Sequence, residues 1–223
     1  MKILLSTAFI AFTALSSCYN PPRTTTNLLM DNSITMNEDP SNAVKTDTAT
    51  FANGCFWCTE AIFEQLDGVM SAVSGYTGGK TESPNYKDVT SGETGHAECL
   101  QITYDPQKIS FDELLEVFWE THDPTTLNRQ GADVGTQYRS GIFYHNEEQK
   151  ETAEKYKKVL DKSGAFDRPI VTEVTPFTKF YPAENYHQQY FENNENSNPY
   201  CKVVIRPKLD KFRKVFKHKL RKH

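Results

Sequence analysis

Thr48-Ala49-Thr50-Phe51-Ala52-Asn53-Gly54-Cys55-Phe56-Trp57-Cys58 changes period part-way through, and the fold is read from that change. Thr48 to Asn53 has the apolar character of a short strand. Gly54 interrupts it, and Cys58 to Leu66 repeats at helical spacing. A strand passing directly into a helix opens an α/β unit. A sulfur at such a junction lies near unpaired backbone N–H groups and the positive end of the helix dipole, both of which favour a thiolate. Cys55 is therefore a candidate nucleophile. Cys58, three residues on, can face it across the first helical turn at about disulfide distance. Phe56 and Trp57, between the two sulfurs, suit the wall of an apolar pocket.

Outward from this stretch, Val69 to Tyr76, Glu98 to Tyr104, Gly141 to Tyr144 and Ile170 to Val174 read as further strands. Ser110 to His122, Glu147 to Ser163 and Ala183 to Phe191 read as further helices. The pattern is clearest in the first of these, where Phe111, Leu114, Leu115 and Phe118 form one stripe. Ser110 is placed to cap that helix, with Glu113 completing a capping box. Strands alternating with helices predict a two-layer α/β sandwich with a single core over 47–201. Two glycine-dense polar stretches, Gly75 to Gly95 and Asp123 to Gly135, contribute little apolar surface and suit active-site loops.

With 223 residues, 37% hydrophobic residues, 14 Phe and 11 Tyr, the chain can build one substantial core. Its net charge of −4 predicts no nucleic-acid partner. Met1 to Ser17 has one Lys ahead of an apolar run too short to span a bilayer, as in an export signal. Leu15-Ser16-Ser17-Cys18 resembles a bacterial lipobox, which implies cleavage before Cys18 and lipidation of its thiol. Residues 18–46 then read as a flexible tether rich in Thr, Asn, Ser and Pro. At the other end, 202–223 carries ten Lys or Arg against Asp210 alone. Leu209, Phe212, Phe216 and Leu220 recur through it at helical spacing. This basic amphipathic segment could pack on the body's acidic surface or lie on anionic headgroups.

A Cys-x-x-Cys pair serves several chemistries. Thioredoxin-like redox pairs share the strand-to-helix setting but do not usually hold two bulky aromatics between the sulfurs. Zinc deaminases combine His-x-Glu with Pro-Cys-x-x-Cys; here His96-Ala97-Glu98 follows Cys55 and no proline precedes it. A structural zinc site would need a second ligand pair, and Cys99 and Cys201 stand alone, so no metal is expected.

Gly54-Cys55-Phe56-Trp57-Cys58, Gly75-Tyr76-Thr77-Gly78-Gly79, Gly95-His96-Ala97-Glu98, His122-Asp123-Pro124-Thr125 and Gly135-Thr136-Gln137-Tyr138-Arg139-Ser140 together closely resemble the A-type peptide methionine sulfoxide reductases. The resemblance spans about Thr48 to Tyr200. It implies a mixed α/β sandwich related to the ferredoxin-like plait and reduction of methionine S-sulfoxide, free or in proteins. It further implies that Cys55 attacks the sulfoxide sulfur, with Glu98 as proton donor and Tyr86 and Tyr138 as hydrogen-bond donors to its oxygen. Phe56 and Trp57 would hold the S-methyl, and Asp133 would orient the substrate or an active-site water. Attack leaves a sulfenic acid on Cys55, which Cys58 condenses to a disulfide, with Cys201 the distal alternative. No bound cofactor is expected; a thioredoxin-like dithiol would supply electrons. Together with the lipobox, this predicts a monomeric repair enzyme tethered by lipid in a bacterial envelope.

Overall fold

The computed structural model describes residues 45–222. The expected export signal, Cys18 and all of the tether but its last two residues lie outside the described residues. In chain order the elements begin β1 (Asp47–Asn53), α1 (Phe56–Phe63), β2 (Val69–Thr77), α2 (Tyr86–Thr90), β3 (Ala97–Tyr104) and α3 (Phe111–Glu120). A small hairpin follows, β4 (Arg129–Gln130) and β5 (Asp133–Val134), then a 3-10 turn, Thr136–Tyr138, and β6 (Ser140–Tyr144). Beyond come α4 (Glu147–Ser163), β7 (Glu173–Pro176), β8 (Tyr181–Pro182), a 3-10 turn, Asn185–His187, and α5 (Tyr190–Asn194). A π-helical turn, Cys201–Ile205, runs into α6 (Arg206–Val215) and a closing 3-10 turn, Lys217–Lys219.

Six strands form a mixed sheet in the order β7-β6-β1-β3-β2-β8. β3 runs antiparallel to both β1 and β2, pairing Phe51 with Leu100 and Tyr76 with Glu98. β6 is antiparallel to β1 and parallel to β7. The central order β6-β1-β3-β2, threaded as β1-α1-β2-β3-α3-β6, is that of a ferredoxin-like plait. Alternation along the strands sets the faces. Phe51, Leu100 and Ile102 meet Ile62, Phe63, Leu114, Leu115 and Phe118 in the main core. Ala52, Cys99 and Phe143 point to the other face, under Phe177 and Phe180. Glu98 shares the parity of Leu100, so strand geometry alone sends it toward α1.

Helix α3 starts where its capping box predicts: Glu113 N donates to Ser110 Oγ at 3.2 Å, and Ser110 N to Glu113 Oε2 at 2.9 Å. Three expectations shift. Ala183 to Phe191 is not one helix but two short turns separated by extended Gln188 and left-handed Gln189, φ 50°. The strand expected over Ile170 to Val174 is displaced to Glu173–Pro176, because β6 offers partners only from Glu173 onward. Within the first glycine-dense stretch, α2 forms on its own capping box between Asn85 and Asp88.

The basic segment after Cys201 belongs to the same core. Leu209, Phe212 and Phe216 are each at most 2% exposed, while Lys211, Arg213 and Lys214 face outward. Burying side chains of this size contributes roughly 1.5–3 kcal/mol each. Past α6 the chain grips the turn after α1: Asp67 N donates to Lys219 O at 2.8 Å, and Arg221 N to Gln65 O at 2.9 Å. The boundary drawn after Cys201 therefore marks no break in packing.

Candidate active site

The site gathers where β1 ends beside the start of β3. Gly54 has φ +96°, and a Cβ there would lie 2.6 Å from the Gln130 side chain, so only glycine makes this bend. The bend leaves Cys55 as the residue preceding α1, 8% exposed. Thr59 fastens the turn by donating from Oγ1 to Asn53 Oδ1 at 2.6 Å. The first helical N–H, that of Phe56, donates to Glu98 Oε2 at 3.1 Å. The first N–H of the helix is thus taken up by the carboxyl.

Glu98 is 1% exposed. Burial pushes its carboxyl up to about 8 against the Phe56 N–H, and Asp133 and Cys58 push in the same direction. It is protonated at neutral pH and can give up that proton. Tyr86 and Tyr138 both feel Glu98 and Cys55. Burial and those two neighbours raise Tyr86 to about 12 and Tyr138 higher still, so each keeps its O–H as a donor. Cys55, Glu98, Tyr86 and Tyr138, the four groups named from the sequence as catalytic, therefore lie within electrostatic reach of one another.

The two sulfurs behave as a pair. Burial pushes the Cys55 thiol well above its usual value, and negative charge on Cys58 adds to that. Cys58 is held down at about 7 by the hydrogen bond from Cys55, opposed by burial and helped by Lys208 and Tyr200. The pair gives up one proton far more readily than two, with the charge favoured on Cys58. Cys201 is fully buried at the start of the π-helical turn. Burial raises its thiol, with Cys58 close enough to add to the effect. The fold thus brings the distal cysteine to the pair. Cys99 is buried on the opposite face of the sheet.

The aromatic cup is walled by Phe56, 1% exposed, and Trp57. Trp57 stacks on Tyr190 with centroids 3.7 Å apart and planes 8° apart. Its indole N–H donates to His187 Nδ1 at 3.1 Å, so neutral His187 carries its proton on Nε2. Asp133 accepts from Tyr200 O–H at 2.7 Å. His96 is occupied structurally: Gly79 N donates to Nδ1 at 3.1 Å, and Nε2 bonds Thr81 O at 2.8 Å. A Cβ on Gly79 would meet that ring at 2.5 Å. A groove of about 910 Å³ between Glu64, Met70, Glu192 and Arg221 holds none of these groups.

A protonated buried carboxyl, two phenol donors and a paired thiol around one apolar cup can polarise an X=O group while a sulfur attacks X. Residues 47–220 match the family model described as peptide methionine sulfoxide reductase. The chain belongs to that family. The peptide methionine sulfoxide reductase MsrA 1 of Rhodopirellula baltica is 57% identical over 176 residues, 78% of this chain and 90% of that protein. MsrA of Natronomonas pharaonis is 52% identical over 78% of this chain and 98% of its own. Among solved structures, reduced Mxr1 of Saccharomyces cerevisiae superposes with TM-score 0.65 at 39% identity, covering 72% of this chain and 90% of its own. Methionine sulfoxide reductase A of Corynebacterium diphtheriae gives 0.61 at 36% identity, over 69% and 77%. The protein is an oxidoreductase that reduces methionine sulfoxide at the expense of thiols.

Around the reductase's cup lie residues that the sequence reading did not assign to it. Tyr200 touches both Asp133 and the sulfur pair. Tyr190 and His187 hold Trp57. Glu184, held below the usual carboxylate range despite partial burial, accepts from Tyr86 N at 2.8 Å and Tyr76 O–H at 3.0 Å. The density of Tyr and His over 181–200 was the available signal, partly hidden within Ala183 to Phe191, which was expected to be a helix.

Proposed function

We propose that this reductase takes the S epimer of methionine sulfoxide, free or within oxidised proteins, with Cys55 as nucleophile and Glu98 as acid. The sulfoxide oxygen accepts from Tyr86, Tyr138 and protonated Glu98, which makes the sulfur electrophilic. Phe56 and Trp57 enclose the S-methyl, and Asp133, fixed by Tyr200, orients the substrate or a water. As Cys55 attacks, its proton passes to the Cys58 sulfur and the Glu98 proton goes to the sulfoxide oxygen. Methionine leaves with its lone pair, and the oxygen stays on Cys55 as a sulfenic acid. Cys58 then displaces that oxygen as water and closes the Cys55–Cys58 disulfide. Each turnover consumes two thiols and yields one methionine and one water. A thioredoxin-like dithiol returns the disulfide to thiols. Cys201 is the alternative resolving thiol.

The observation that carries this reading is the Glu98 carboxyl, buried, protonated and tied to the residue after Cys55. The test is single-turnover reduction of separated epimers without reductant, with thiols counted afterwards. S-epimer product with loss of two thiols is expected, and a persistent sulfenic acid when Cys58 and Cys201 are both replaced. Equal use of both epimers would overturn the assignment.

We further propose that the enzyme works as a monomer held by lipid on Cys18 in a bacterial envelope, which rests on the lipobox-like sequence alone. Labelled palmitate incorporated by the full-length chain and lost in Cys18→Ala would support it. Equal labelling of both would refute it.

A further inference from the structure

The ladder between β2 and β8 is only two residues long, Gly75 with Pro182 and Tyr76 with Tyr181, closed by Ala183 N donating to Ser74 O at 2.9 Å. Beyond that point the chain leaves the sheet as the strap 184–190, with no strand to meet the rest of β2. Gln188 fills the gap. Ser74 N donates to Gln188 Oε1 at 3.0 Å, and Gln188 Nε2 donates to Ser74 O and to Ala183 O, each at 2.9 Å. Ser74 is fully buried, so its N–H depends on this amide in place of water.

The residues on either side of Gln188 hold Trp57. His187 accepts the indole N–H at 3.1 Å, and Tyr190 covers the ring face at 3.7 Å between centroids. Gln189, between them, is a non-glycine residue in the left-handed region, φ 50°, a conformation that surrounding ties must impose. On the α1 side, the buried carboxylate of Glu60 faces the backbone N–H groups of Gln189 and Tyr190 without closing a hydrogen bond. The amide of Gln188 is thus the closed polar tie that holds the 187–190 half of the strap, while Glu184, accepting from Tyr76 O–H at 3.0 Å, ties its start to the sheet.

We propose that Gln188 is a positioning residue for sulfoxide binding: its side-chain amide stands in for a missing strand partner at Ser74 and thereby fixes His187 and Tyr190 against the Trp57 indole. This rests on the reading that Trp57 walls the substrate's methyl group. Loss of the amide would let His187 and Tyr190 move and loosen the cup about Trp57, while Glu184 stays tied to Tyr76 and Tyr86 and the sulfurs, Glu98 and Tyr138 stay on their own elements.

The experiment compares Gln188→Leu and Gln188→Glu with the parent, all in a Trp119→Phe background so that Trp57 is the remaining tryptophan. Steady-state KM and single-turnover rate at saturating methionine sulfoxide are read beside Trp57 emission and its quenching by acrylamide. Gln188→Leu loses all three of these hydrogen bonds and is expected to raise KM at least about tenfold, the scale of a single buried one, with the saturated rate within about twofold. Its Trp57 emission shifts to the red and quenches more readily. Gln188→Glu keeps the acceptor for Ser74 N. When protonated it also regains one donor, so its KM falls back toward the parent value as pH is lowered. An unchanged KM, or an unchanged Trp57 emission, in Gln188→Leu overturns the proposal. Trp57→Leu separates the two readings: if its KM does not rise, the methyl-wall assignment has failed, whereas a rise there without one in Gln188→Leu refutes the anchor alone.

Discussion

Phe56 and Glu98, 42 residues apart, are joined by a hydrogen bond of 3.1 Å from the first N–H of α1 to a carboxyl oxygen. The bond locks the proton donor to the residue that follows the nucleophile, so acid and sulfur cannot drift apart without unwinding the helix start. It also partly offsets burial, leaving Glu98 at about 8 and able to release its proton.

The single-turnover rate should follow a bell in pH. It rises through about 7 as the sulfur pair ionises and falls through about 8 as Glu98 loses its proton. Glu98→Gln should remove the falling limb and slow sulfoxide reduction by about 10²–10⁴-fold, the range of a general acid. Rapid-quench measurement of methionine formation across this pH range checks both effects.

Tyr86→Phe and Tyr138→Phe should each lower kcat/KM by about tenfold, and the double variant by more than the product of the two. The reason is that either phenol alone still polarises the oxygen, whereas loss of both leaves Glu98 unassisted. Steady-state assays on free methionine sulfoxide decide it.

Tyr200→Phe should raise the pH at which the Cys55–Cys58 pair ionises, because the phenol, by turning its one proton from Asp133 to the sulfur, helps hold Cys58 at about 7. Thiolate absorbance in the ultraviolet, titrated in the Cys18→Ser, Cys99→Ser, Cys201→Ser background, reads this directly. A titration that does not move would show that Lys208 and the Cys55 hydrogen bond suffice.

Glu60 is 2% exposed, and burial lifts its carboxyl to about 7 against the facing N–H groups of Gln189 and Tyr190. The folded state therefore binds a proton that the unfolded chain releases near its ordinary, lower pKa. Stability from this group is greatest in acid and declines as pH climbs from that unfolded value to about 7, with no further loss above. Glu60→Gln should remove this slope and stabilise the protein above neutrality by about 2 kcal/mol. Urea unfolding on either side of the window measures it.

Phe212→Ala in α6 should cost about 3–5 kcal/mol, as for a large core side chain. Lys211→Ala beside it, on the exposed face, should shift stability by less than about 0.5 kcal/mol. Equal, small effects would mean that α6 is peripheral.

Where local chemistry governs, the sequence was sufficient: the Ser110–Glu113 box set the start of α3, and strand alternation put Cys99 on the face of the sheet away from the helices. Cys55 and Cys58 followed from helical spacing. Segment 183–191 was misread as a helix because contacts distant in sequence override its pattern: Ser74 takes the Gln188 amide and Trp57 takes His187. Helix α2 is only five residues long, too few to register a period. Tyr200 and Cys201 reach the site because α6 buries its apolar stripe and carries them there, which no local pattern encodes.

Helix α1 is held at both ends. Its first N–H is spent on Glu98, and the turn after it is gripped by Lys219 and Arg221. During folding, then, much of the sheet can assemble first, but the helix bearing the redox pair stays half-fastened until residues 219–221 have docked. Catalytic competence should appear abruptly and late, and an oxidant meeting the part-folded chain would find these sulfurs still unguarded.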